Sequence, residues 1–193
     1  MCWAYRFKND AVAAEGTEVA IPHSGRITRA GQEAALLTTK GGGLAWIVAR
    51  YGISFPKSGG GRQLIWNARD DKLEKVETWA RLIRQRFAVP VDAYVENAPG
   101  ETWHVGSTAW MVGFYDEDSD GGAVTITEAG RGEERRPILI GRDDALAWLS
   151  AKPWSALEKL SEARRIEFCE AGLFEMKSLA IDARTSVPLR RAA

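Results

Sequence analysis

Histidine and cysteine are scarce in this chain, with two of each among 193 residues. Cys2 and Cys169 form neither a disulfide framework nor the paired spacing of a zinc site. A histidine-built metal centre would have only His23 and His104 to draw on, so neither a metal nor a cofactor is expected. Long hydrophobic runs are absent too. No apolar stretch approaches the roughly 18 residues of a membrane-spanning helix, so no membrane partner is expected. The first residues lack a basic region followed by an apolar one, which predicts no secretory signal and a reducing, cytoplasmic setting. Net charge is missing as well: 26 basic residues balance 26 acidic ones. That balance argues against a protein that holds long duplex DNA by charge alone. The glycine runs "KGGG" and "SGGGR" lack the lysine and hydroxyl spacing of a phosphate loop, and no nucleophile elbow is present.

What is present reads as one globular domain. Hydrophobic residues make up 45% and charged residues 27% of the chain, and eight tryptophans are available for a core or for stacking on bases. Charge is local: arginines cluster in "RLIRQR" (81–86) and "RRP" (135–137), and acids in "DEDSD" (116–120). The pattern predicts a short strand over 3–7, an irregular stretch over 8–43 and a single long strand over 44–55. "LIW" reads as a strand leading into "NAR" (67–69). A helix is expected from Asp71, capped by that residue with Glu74 as the return partner, because Leu73, Val76, Ala80 and Ile83 follow at helical spacing. The stretch 87–95 and the segments "ETWHV", "AWMVGFY" and "AVTITEA" read as successive strands, and "RRPILI" as another. Short helices are predicted at "RDDALAWLS" and at 154–162, separated by Pro153. The fold class expected is α+β, a single domain around a largely antiparallel, barrel-like sheet with a few flanking helices. The domain is taken to span 1–182, with a loose tail over 183–193.

Chemistry has few candidates. Cys2 is one, since removal of Met1 would leave a thiol and a free α-amine on one residue. Asn67 and Arg69 are two apart in an extended segment and can share a face. In "VDAYVEN", strict alternation puts Val91, Ala93 and Val95 on one side and Asp92, Tyr94 and Glu96 on the other. That second face is either solvated or the wall of a cleft where Glu96 serves as an acid or base.

In this order, "MC", "LIWNARDDKLEK" (64–75), "RFAVPVDAYVEN" (86–97) and "AVTITEAGRGEERRPILI" (123–140) resemble the SRAP family, the SOS-response-associated peptidases that sense abasic sites. "ARYGISFP" stands where that family has a Trp-Gly-Leu-x-Pro segment. The resemblance covers about residues 1–150 and departs from the family at specific points. Trp3 and Ala4 replace Gly and Arg, and Glu133 occupies the place of the active-site histidine. The resemblance implies loss of Met1 and attack of Cys2 on the ring-opened aldehyde of an abasic site in single-stranded DNA, closing a thiazolidine crosslink. It implies catalytic roles for Cys2, Asn67, Glu96 and Glu133, and DNA contacts from Arg69, Trp3 and Arg135. A monomer, nucleoid-associated when on DNA, is expected, and Glu133 in place of the histidine predicts slower crosslinking than in histidine-bearing relatives. Two other readings stand beside it. One is a module that binds single strands through Arg69, the 81–86 arginines and tryptophans without the chemistry. The other is an unrelated cysteine hydrolase.

Overall fold

The computed structural model describes residues 2–7, 12–14, 17–19, 27–96, 101–117, 122–129, 135–166 and 168–170. Strand β1 (Cys2–Phe7) is followed by the small β2 (Val12–Ala14) and β3 (Thr17–Val19) hairpin and by β4 (Ile27–Arg29). Then come β5 (Glu33–Lys40), β6 (Gly43–Tyr51) and the hairpin of β7 (Ile53–Pro56) with β8 (Arg62–Ile65). The short β9 (Asn67–Arg69) leads through a 3-10 turn, Asp70–Lys72, to helix α1 (Glu77–Leu82). Long strands β10 (Arg86–Glu96) and β11 (Glu101–Tyr115) precede β12 (Gly122–Ala129), β13 (Arg135–Pro137) and β14 (Leu139–Ile140). Helices α2 (Arg142–Ser150) and α3 (Pro153–Glu162) and strand β15 (Phe168–Glu170) complete the order.

The fold is α+β and mostly sheet, an 11-stranded assembly in which β10 pairs both β5 and β11. With β11 on β12, β12 on β6 and β6 on β5, these strands close a ring. All pairings in it are antiparallel except β12 with β6. One core fills the inside of the ring and contains all four tyrosines of the chain, Tyr5, Tyr51, Tyr94 and Tyr115, with Leu36, Phe87, Val89 and Met111. A second core lies on the outer face, where Val112, Phe114 and Ile126 meet Trp79 and Leu82 of α1, Trp148 of α2 and Leu160 of α3. Strand β12 is covered on both faces, buried from Gly122 to Thr127, whereas β6 leaves Val48 and Arg50 exposed.

Several expectations change on this scaffold. The stretch expected to be irregular holds β5, whose Ala34–Thr38 are all buried. Burial on both faces overrides the weak strand preference of "EAALLTTK". The single strand over 44–55 is broken at Gly52, with φ +116°, a conformation favouring glycine; a Cβ there would meet Leu64 Cγ at 2.7 Å. The helix from Asp71 divides into the 3-10 turn and α1, and neither start carries a side-chain cap. "ETWHV" and "AWMVGFY" belong to one strand, β11. The strict alternation over 91–96 fails as well. The β10 register shifts between Val91 and Ala93, both where it meets β11 and within the stretch paired to β1. An extra residue in a bulge inverts the facing of the residues after it. Tyr94 thus joins Val89 and Val91 in the inner core, while Ala93 packs with Ala4 and Ile27 on the other side. Asp92 at the bulge takes both Nε and Nη2 of Arg6, at 2.8 and 3.1 Å. The proposed tail over 183–193 lies outside the described residues.

Candidate functional site

Strand β1 runs antiparallel to β10 with Cys2 directly opposite Glu96. Two residues 94 positions apart in sequence thus become cross-strand partners. For Cys2, Trp3 and Glu96 the structure describes the strand and its register; Glu133 lies outside the described residues.

The other candidates gather along β12. Asn67 is the register partner of Thr125, and Arg69 that of Thr127, because β9 runs parallel to β12. Between them Ala68 is fully buried in the outer core. On the opposite edge of β12, β13 brings in Arg135, whose Nη2 donates to the Thr127 carbonyl at 2.6 Å and also pairs with Asp70. Arg69 donates from Nε and Nη2 to both oxygens of Asp71, at 3.0 and 2.8 Å. Arg135 also approaches Asp71 at 3.4 Å. The two arginines thus form one neutralised group with two aspartates. The hydrogen bond from Arg69, ahead of its charge, holds the Asp71 carboxyl below the usual range, and the same contact raises the Arg69 guanidinium. Any phosphate reaching Arg69 has to compete with a carboxylate already seated in its fork.

Asn67 occupies a polar network at the inner core. Thr125 Oγ1 lies 2.8 Å from its amide, 3.2 Å from the Trp66 carbonyl and 3.2 Å from the Tyr51 hydroxyl. The ring of Tyr51 meets that of Tyr5 edge to face at 5.3 Å. Tyr5 is three residues from Cys2 on β1, so aromatic and hydroxyl contacts connect the β1–β10 pair to the β9–β12 pair. Sequence reasoning found Asn67 but missed Tyr51, Trp66 and Thr125. The available signal was a hydroxyl in "AVTITEA", a strand buried on both faces, where such a group needs a partner.

A cleft of about 850 Å³ opens on the outer side. Trp79, Phe114, Ile138 and Leu160 line it, with Asp70 and Asp71 also in its wall. The arginine run 81–86 is not a free basic patch. Arg81 pairs with Asp116 at 2.8 Å, and Arg86 is buried, bonded to the carbonyls of Ile83, Trp148, Leu149 and Ala151. Among the described residues no group of three or more His, Cys, Asp or Glu could hold a metal, and no helix is long and apolar enough to cross a membrane.

The arrangement defines an α+β protein with a strand-ring core, and solved structures share it. A phage-related protein from Bordetella bronchiseptica aligns with a TM-score of 0.67 at 17% identity, over 88% of this chain and 94% of its own. A second protein from the same organism aligns at 0.64 and 14% identity, over 89% of this chain and all of its own. At this identity the likeness establishes the fold alone. No protein-family model and no curated protein matches the chain.

Proposed function

We propose that this chain is an SRAP-type DNA-damage protein that captures abasic sites in single-stranded DNA through Cys2. The observation that carries the reading is the Cys2–Glu96 register pair. Directly opposed residues of an antiparallel pair have Cα atoms about 4.5–5.5 Å apart. A carboxylate-bearing residue thus stands beside the residue that would attack. In this reading the closed ring is the barrel-like core that holds β1, β10 and β9 in mutual register, and the protein acts as a cytoplasmic monomer on nucleoid DNA.

The chemistry starts with hydrolysis of the Met1–Cys2 peptide bond, assisted by Glu96. The freed α-amine, with a pKa near 8, is partly neutral at cellular pH. It adds to the C1′ aldehyde of the ring-opened sugar and loses one water to give an imine. The Cys2 thiol then adds across the C=N bond, its proton ending on nitrogen, and a five-membered thiazolidine closes. Glu96 assists sugar ring opening and proton transfer, and Glu133 takes the relay role that a histidine has in the SRAP family. Asn67 positions the reacting groups, while Arg69, Arg135 and Trp3 contact the strand.

Intact mass spectrometry tests this. The expected result is a starting mass lacking Met1, then a gain equal to a single-stranded abasic oligonucleotide minus one water. Cys2→Ala abolishes the gain, and Glu133→His speeds it. A retained Met1 with no covalent gain would overturn the crosslinking reading; reversible, salt-sensitive binding to the same oligonucleotide would then establish the non-catalytic module.

A further inference from the structure

We infer that Trp66, Thr125 and Tyr51 wire Asn67 as a fixed hydrogen-bond acceptor, so that the group it meets at the site must be an N–H or O–H donor; the identity of that donor rests on the proposed function. The argument is one of valence. Thr125 and Tyr51 have no solvent exposure, so their hydroxyls must be satisfied by protein. Of the two amide orientations of Asn67, only one agrees with its surroundings. In it Nδ2 donates to Thr125 Oγ1 at 2.8 Å and to the Trp66 carbonyl at 3.3 Å, while Oδ1 accepts from the Trp66 indole Nε1 at 3.0 Å. The reverse orientation would set an amide N–H against the indole N–H.

With Asn67 so placed, Thr125 has protein partners on every side. Its oxygen accepts from Asn67 and hydrogen-bonds the Tyr51 hydroxyl at 3.2 Å, and it shares the Trp66 carbonyl, at 3.2 Å, with the Thr125 backbone N–H at 3.0 Å. Both Nδ2 protons of Asn67 are engaged. The valence left open on this side chain is the second lone pair of Oδ1. An acceptor cannot hold a phosphate or an aldehyde oxygen. It can hold the α-amine exposed when Met1 leaves, or a hydroxyl of the abasic sugar. Thr125, Tyr51 and Trp66 are thus positioning residues, and they explain why an asparagine, with its two-ended amide, stands at 67.

Side-chain amide NMR of the full chain, together with crosslinking kinetics, tests the wiring. In the wild type the Asn67 Nδ2 protons are protected from solvent exchange. Thr125→Val, nearly isosteric, speeds that exchange about tenfold, and Thr125→Ser restores protection. In crosslinking, Thr125→Val lowers the maximal rate about tenfold with half-saturation within about twofold, and the serine variant recovers the rate. Tyr51→Phe, which removes one partner of Thr125 and none of Asn67, produces a smaller change in both and covers the case of a Thr125→Val chain that fails to fold. The two donor sources separate cleanly. Asn67 signals that move on Met1 removal alone identify the amine; signals that move only when an abasic oligonucleotide is added identify the sugar hydroxyl. Freely exchanging Nδ2 protons in the wild type, or protection unchanged in Thr125→Val, overturn the wiring. A wild type that shows the protected amide yet never crosslinks upholds the wiring and removes the proposed reaction.

Discussion

Arg69 and Asp71 show what a single contact does to a residue's meaning. In sequence, Arg69 stands out as a phosphate partner and Asp71 as a helix cap. In the fold they hold each other, with two hydrogen bonds and both side chains about half exposed. The contact lowers the Asp71 pKa, so its contribution is fully present above the ordinary aspartate value of about 4 and is lost as pH falls through the lowered folded value. Arg69→Gln should therefore raise the Asp71 titration midpoint, read by carboxyl-carbon NMR. A midpoint that stays put would mean that Arg135 or the backbone holds the carboxylate instead.

Between elements, Arg86 is the fastening. It sits at the start of β10, buried, with its guanidinium over the Trp148 ring at 5.4 Å and its donors on the last carbonyls of α2 and the end of α1. Helix C-termini leave carbonyls without intrahelical partners, and a cation there satisfies them and opposes the helix dipole. Desolvation lowers the Arg86 pKa from its very high ordinary value, but the carbonyls hold the charge in place. Arg86→Met keeps the bulk and strands these carbonyls, at a cost of about 3 kcal/mol. Thermal unfolding should drop by roughly 6–12 °C, and Arg86→Lys should recover only part because it lacks the fork. A melting point within a degree of wild type would show that water replaces the guanidinium. In sequence this residue is one letter in a basic run; only its contacts separate it from the exposed Arg84.

At the scale of the molecule, the ring of β5, β6, β12, β11 and β10 is joined strand to strand around a buried core, whereas β7 and β8 pair only with each other. Gly113 lets the ring pack closely: a Cβ there would fall 2.1 Å from the Val124 carbonyl and 2.5 Å from the Phe87 ring. Such a core opens only with global unfolding, while a peripheral hairpin opens on its own. Hydrogen exchange should therefore show amides in β10–β12 protected about a hundredfold or more beyond those of β7–β8. Equal protection in the two would mean that the hairpin unfolds only with the ring.

The sequence by itself determined the α+β class, most strand positions and the short list of chemical candidates, Cys2, Asn67, Arg69, Glu96, Glu133, Arg135 and Trp3. These come from local periodicity, turn residues and residue chemistry, which need no knowledge of distant neighbours. Tertiary structure alone decided the bulge that reverses Tyr94, the seating of Cys2 opposite Glu96, the carboxylates occupying Arg69 and Arg135, and the Thr125–Tyr51–Trp66 network around Asn67. Each of these depends on strand register and on buried polar groups finding partners across long sequence separations. Local pattern carries no record of either.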